Sequence, residues 1–148
     1  MTVPMMHEKE YGFIESHLKN DMTMLEWGSG GSTLYFPKFV ESYHSIEHDQ
    51  GWYDKIKPQI SDNVDYYHVP SSVPWERPSD WRDNPAHHNT PVELFTDYID
   101  YVDKLDIEFD CILVDGRCRV HCAIKALSYL KDDGVLFFHD FYPRKKYG

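Results

Sequence analysis

The chain has 148 residues, 41% of them hydrophobic and 16% aromatic, which suffices for one globular domain (residues 1–148) with its own core and excludes a disordered chain. A net charge of −10 excludes a general binder of nucleic acid or of anionic membrane, because phosphate contacts need clustered Lys and Arg. The one basic cluster, Arg144-Lys145-Lys146, reads as a solvated tail. No apolar run approaches the roughly 20 residues of a membrane helix. The N-terminus lacks the charged-then-apolar pattern of a secretion signal. The three cysteines, Cys111, Cys118 and Cys122, form no paired framework and read as buried thiols, so a cytoplasmic protein is expected.

In chain order, residues 7–19 read as a helix whose apolar face is Tyr11, Phe13, Ile14 and Leu18. A first strand follows at 23–27 and ends in Glu26-Trp27. The glycine-rich turn Gly28-Ser29-Gly30-Gly31 comes next, and Ser32-Thr33 open a short helix over 33–36. Glycine is needed where backbone turns sharply or lies against a ligand. A helix starting there points unpaired N–H groups at whatever occupies the turn. The dinucleotide fingerprint G-x-G-x-x-G would need glycine where Thr33 stands, and the phosphate-binding P-loop would need a lysine that is absent.

What remains is an acidic residue two before Gly-x-Gly: Glu26-Trp27-Gly28-Ser29-Gly30. This pattern resembles the first motif of the class I S-adenosylmethionine-dependent methyltransferases, with Ser32 where that motif often has a further glycine. S-adenosylmethionine carries an ammonium, a sulfonium, a carboxylate and a ribose. A carboxylate near the loop would hold its positive charge directly or through water. The resemblance covers roughly residues 20–142 and makes the first helix a cap before the first strand.

The second strand, 42–47, ends in Glu47-His48-Asp49. In a doubly wound sheet a carboxylate about 20 residues beyond the glycine loop reaches the ribose hydroxyls, and Glu47 stands there. Asp49 suits the N-cap of the helix that follows, through Trp52-Tyr53-Asp54-Lys55-Ile56. The expected cofactor residues are therefore Glu26, Trp27, Gly28, Ser29, Gly30, Ser32, Thr33, Glu47 and His48.

Residues 64–69 form a third strand. The 70–91 segment is a long loop, rich in Pro, Ser, Trp, Asn and His, that reads as a lid or as a loop folded on the sheet; Trp75 and Trp81 in it are expected to cover something. His87-His88 reads as a solvated pair. Residues 91–102 form an amphipathic helix with Leu94, Phe95, Tyr98, Ile99 and Val102 on one face. A fourth strand, 109–115, is apolar until Asp115-Gly116-Arg117, as suits burial on both faces. A helix over 120–130 and a fifth strand, 134–140, complete the chain.

The expected fold is α/β: a doubly wound, Rossmann-like, mostly parallel sheet of about five strands with helices on both faces. The C-terminal antiparallel hairpin of the family is missing, which leaves the apolar fifth strand as an edge: either the chain is a fragment, or a second copy covers that edge. Polar residues stand at the strand ends, Glu26, Glu47, Asp115, His139 and Asp140, where open parallel sheets bind ligands.

The strand ending in Val-Asp-Gly and the next ending in His-Asp extend the resemblance toward the small-molecule O-methyltransferases. It implies methyl transfer to a small-molecule or glycan hydroxyl, with Asp115, His139 and Asp140 as catalytic residues and His139 as the base. Magnesium on Asp115 and Asp140 is the less favoured alternative, since only two ligands are visible. Arg117 and Arg119 would bind a carboxylate or phosphate of the acceptor, or form surface ion pairs. Three other readings stay open: a non-catalytic or truncated domain of this fold that binds cofactor or a partner chain; a nicotinamide-dependent oxidoreductase, against which Thr33 and Glu26 speak; and a protein or nucleic-acid methyltransferase, the latter disfavoured by the acidic balance and the lack of an Asn/Asp-Pro-Pro-aromatic signature.

Overall fold

A computed structural model describes residues 8–80, 83–84 and 90–139. The expectations for Trp81, His87-His88, Asp140 and the basic cluster at 144–146 lie outside the described residues.

Five strands form one sheet: β1 (Thr23–Trp27), β2 (Ser42–Glu47), β3 (Val64–His68), β4 (Phe109–Val114) and β5 (Leu130–Phe138). Their order is β3-β2-β1-β4-β5, and every neighbouring pair runs parallel. The chain starts in the middle, winds outward to β3, then crosses back to β4 and β5. The reversal of direction lies between β1 and β4, the position at which open parallel sheets bind ligands, outside the carboxyl ends of the strands.

Successive residues of a strand point to opposite faces, and both faces here are apolar. Leu25, Trp27, Ile46, Ile112 and Val114 pack on one side with Phe95, Tyr98, Ile99, Val102, Cys122 and Ala126. Those residues come from α4 (Thr96–Asp100), α5 (Val102–Leu105), α6 (Arg119–Ala126) and the 3-10 turn Val92–Phe95. Met24, Tyr43, Cys111 and Leu113 pack on the other side with Ile14 of α1 (Glu8–Glu15), Tyr35 of α2 (Gly31–Tyr35) and Phe36 of the turn that follows. The doubly wound arrangement is thus the direct result of strands with no polar face.

Several bounds differ from the sequence expectation, among them α6, which ends at Ala126 rather than at residue 130, and α2, which spans Gly31–Tyr35 rather than 33–36. The first helix stops at Glu15, because Ser16 Oγ and His17 Nδ1 both bond the Phe13 carbonyl and draw it out of the helical ladder. The helix over 91–102 is broken into three pieces: the non-helical backbone of Phe95 (φ −114°, ψ 19°) parts the 3-10 turn from α4, and a turn at Tyr101 parts α4 from α5. β5 begins at Leu130, not at Gly134: Leu130 pairs with Phe109, and the register then slips so that Val135 pairs with Cys111. The slip carries the polar Lys131-Asp132-Asp133 out of the core.

No hairpin follows β5 among the described residues, and its outer edge has no partner strand there. Val120, Ile124, Leu127 and Phe138 are exposed near that edge. No described helix is long and apolar enough to cross a membrane.

Candidate active site at the carboxyl ends of the strands

β1 ends against its neighbours. Gly28 N–H donates to the Ile46 carbonyl at 2.9 Å, and Gly28 then turns with φ +93°. A Cβ there would lie 2.7 Å from Gly116 Cα, so only glycine lets the loop after β1 and the loop after β4 touch. The Trp52 indole donates to the Ser29 carbonyl at 2.7 Å, and its ring lies 3.5 Å from where a Gly30 Cβ would be. The turn is therefore braced on two sides before any ligand enters.

Glu26 lies beneath this turn and is wholly buried. Ser32 (2.5 Å) and Tyr43 (2.7 Å) donate hydroxyls to its Oε1, while Ser45 (2.6 Å) and Thr33 donate to Oε2. Thr33 Oγ1 in turn accepts from Gly30 N–H at 3.0 Å. Burial pushes the Glu26 carboxyl up to about 7, against the pull of those hydrogen bonds. The expectation that this carboxylate meets the ligand's positive charge encounters a closed shell of hydroxyls. In this arrangement Glu26 ties α2 and β2 to the loop. Trp27 also faces inward, its ring in the core and its Nε1 donating to the Tyr98 carbonyl at 3.0 Å. Ser32 and Thr33 are likewise buried.

Glu47 ends β2 and reaches across to the loop. Its Oε1 accepts from Ser29 N–H (2.8 Å) and Ser29 Oγ (2.6 Å), and its Oε2 from Asp49 N–H (2.9 Å). Since the Ser29 hydroxyl donates to Glu47, the Tyr66 hydroxyl donates to Ser29 Oγ, at 2.5 Å. Asp49 caps α3 (Gln50–Ile56) by accepting from Trp52 N–H at 2.8 Å. His48 packs edge-on against Phe95 and Tyr98, with its Nδ1 at 3.3 Å from Glu47 Oε2. Burial lowers its pKa from the ordinary 6.5.

On the other side of the Gly28 turn, β4 and β5 bring Asp115 and His139 together. Asp115 N–H donates to the Trp27 carbonyl at 2.9 Å and His139 N–H to the Val114 carbonyl at 3.0 Å, which continues the ladder past the strand ends. His139 Nδ1 sits 2.6 Å from Asp115 Oδ1, and Nε2 sits 3.1 Å from Glu10 Oε2 of α1. The bond to Asp115 raises the histidine pKa above 6.5, with smaller help from the charges of Asp115 and Glu10. Arg119 Nη2 lies 3.8 Å from Asp115 Oδ1. Among the described residues no group of three or more His, Cys, Asp or Glu is placed to hold a metal ion.

The structure thus brings Gly28, Ser29, Gly30 and Glu47 into one assembly, with His48 beside Glu47, and pairs Asp115 with His139. Four side chains of the site escaped the sequence reading. Trp52, Tyr66 and Tyr98 looked like ordinary core aromatics, and their polar atoms carried no sequence signal. Glu10 carries none either, because only the packing of α1 brings it to β5. The pairing of Gly28 with Gly116 had a faint signal: a glycine directly after each of two strands.

No protein-family model and no curated protein matches the sequence. Solved structures do match over nearly the whole chain. A methyltransferase-like protein from Silicibacter pomeroyi is 24% identical, with a TM-score of 0.69 over 98% of this chain and 78% of that one. Precorrin 8W decarboxylase from Methanobacterium thermoautotrophicum is 13% identical, with a TM-score of 0.66 over 97% of this chain and 69% of that one. The YcgJ protein from Bacillus subtilis is 16% identical, with a TM-score of 0.55 over 95% and 54%. At these identities the likeness is one of fold: the chain has a methyltransferase-like α/β fold.

Proposed function

We propose that the chain binds S-adenosylmethionine at the carboxyl ends of β1, β2 and β4 and transfers its methyl group to a hydroxyl of a small molecule or glycan. One observation carries the reading. A glycine turn with no room for a Cβ, a carboxylate at the end of β2 and a carboxylate–imidazole pair at the ends of β4 and β5 all stand at the carboxyl ends of one parallel sheet.

The fit to the cofactor rests on these residues. Gly28 lets the loop after β1 pack directly on Gly116, and Gly30 lies against the Trp52 ring, so the two glycines set the shape of the turn a ligand would meet. Glu47 accepts only, as a ribose diol requires, and the Ser29 hydroxyl it now holds is the natural group to exchange. The Tyr98 hydroxyl is buried beside Gly116 without a hydrogen-bond partner, and an accepting group of a ligand would supply one. S-adenosylmethionine would supply an electrophilic methyl group on a sulfonium.

The chain's own task is to align the acceptor and take its proton. His139 suits this. Its Nδ1 is fixed by Asp115, which sets the ring and stabilises the imidazolium that forms. Nε2 is the proton-accepting atom, and an acceptor hydroxyl would take the place Glu10 holds in this structure. Trp75 packs edge-on against Phe95, 5.8 Å between centroids, and Phe95 also meets His48, which suits a lid role for the residues around Trp75.

Calorimetric titration with S-adenosylhomocysteine, and separately with NADH, tests this reading. Binding of the former alone, lost in Glu47→Ala, is the expected result. A well-folded wild type that binds no S-adenosylhomocysteine contradicts it. Cofactor binding with no transfer to any hydroxyl acceptor would identify a domain that holds the ligand without turnover.

A further inference from the structure

Two polar groups at the end of β4 are built without partners. The Tyr98 hydroxyl has no exposed surface and no hydrogen bond. It is pressed against Gly116, where a Cβ would collide with it. Arg117 follows directly. Its Nε is buried without a hydrogen bond, and among the described residues no carboxylate forms an ion pair with its guanidinium. Burial lowers its pKa from the ordinary arginine value, and it lies within electrostatic reach of Tyr98, Arg119, Glu47 and Asp49.

The nearby carboxylates do not use these donors. Glu47 spends its oxygens on Ser29 and on Asp49 N–H, and Asp49 spends its own on Trp52 N–H. Arg119 belongs to Asp115. Arg117 is thus a half-desolvated cation with an idle planar fork of donors, and Tyr98 adds a hydroxyl that can donate beside it. A folded chain keeps such a group out of water at a cost unless something binds it. The ligand that satisfies both is an oxyanion: a fork of N–H groups matches carboxylate or phosphate oxygens, which only accept.

We propose that Arg117 and the Tyr98 hydroxyl form an oxyanion subsite at the end of β4, taking a carboxylate or phosphate of the bound ligand. The proposal rests on the methyltransferase reading only for the ligand's identity. Two sources share this chemistry: the amino-acid carboxylate of the cofactor, and an acidic group on the acceptor. In the second case the acceptor is an anionic hydroxyl compound.

Three probes separate these sources on wild type, Arg117→Gln and Tyr98→Phe. They are S-adenosylhomocysteine, 5′-methylthioadenosine (the same thionucleoside without the amino-acid tail) and inorganic phosphate. The first two are titrated by calorimetry, and phosphate is followed by thermal stabilisation. A loss of about tenfold or more for S-adenosylhomocysteine in Arg117→Gln, with methylthioadenosine unchanged, assigns the subsite to the cofactor. Unchanged nucleoside binding, with phosphate stabilisation present in wild type and lost in Arg117→Gln, assigns it to the acceptor. Tyr98→Phe keeps the side chain's volume and should weaken the same probe by a smaller factor, so it serves if Arg117→Gln does not fold. Equal binding of all three probes by wild type and variants overturns the proposal, as does an equal loss for both nucleosides. If wild type binds neither nucleoside but is stabilised by phosphate through Arg117, the methyltransferase reading falls and the subsite stands.

Discussion

Burial holds the Glu26 carboxyl up to about 7, while hydrogen bonds from Ser32, Ser45, Thr33 and Tyr43 pull it down. Its folded pKa lies above the ordinary 4.5, so between these values the native chain holds a proton that the unfolded chain has lost. The stability this group contributes is complete below pH 4.5 and is lost as pH rises through 7. The loss is on the order of 3 kcal/mol. Urea unfolding should therefore show wild-type stability falling across that window. Glu26→Gln should flatten the slope and cost about 1–3 kcal/mol, because an amide nitrogen cannot accept from hydroxyls. Identical slopes for the two proteins would contradict this role. His139 behaves in the same sense for stability, since its pKa is raised: its contribution is complete below 6.5 and is lost as pH rises through the higher folded value. Activity runs the other way, because a base must be neutral. Methyl transfer should rise with pH through a midpoint above 6.5, and Asp115→Asn should lower both the midpoint and, by on the order of 10²-fold, the limiting rate. A pH-rate profile unmoved by Asp115→Asn would remove the pair from the chemistry.

Helix α3 is held at its start by one side chain. Asp49→Ala should cost about 1 kcal/mol, the usual loss for an N-cap, and should also loosen the Trp52 bond to Ser29 that braces the glycine turn. Thermal unfolding measures the first effect and cofactor affinity the second; a stability loss with unchanged affinity would separate α3 from the site. This cap was legible in the sequence because Asp49 directly precedes the helix it closes. β1 and β2 were legible to the residue, β1 as a short, mostly apolar run that stops at the glycine turn and β2 as an alternating Ser/Tyr/Ile stretch that ends at Glu47. The bounds of β5 were not, because its first half is the polar Lys131-Asp132-Asp133 and the slip in register that accommodates it comes from pairing with β4. The break at Phe95 was hidden for a similar reason: the apolar spacing continues through it, and only packing on the sheet sets its backbone.

The whole sheet was legible because its strands have two apolar faces, and two apolar faces demand helices on both sides. That topology puts five carboxyl ends in a row, and the polar residues at those ends were visible in the sequence before any side chain was placed. It did not reveal which polar groups meet there. Asp115 and His139 were visible as strand ends, whereas Glu10 arrives from the far end of the chain and the Tyr98 hydroxyl from the middle of an apolar face. The central claim concerns that end of the sheet, and backbone amide shifts of the ¹⁵N-labelled chain on titration with S-adenosylhomocysteine test it most directly. The predicted result is saturable shifts concentrated at Gly28, Ser29, Gly30, His48, Asp49 and Gly116. Shifts confined to the opposite, amino-terminal ends of the strands, or none at saturating ligand, would contradict it.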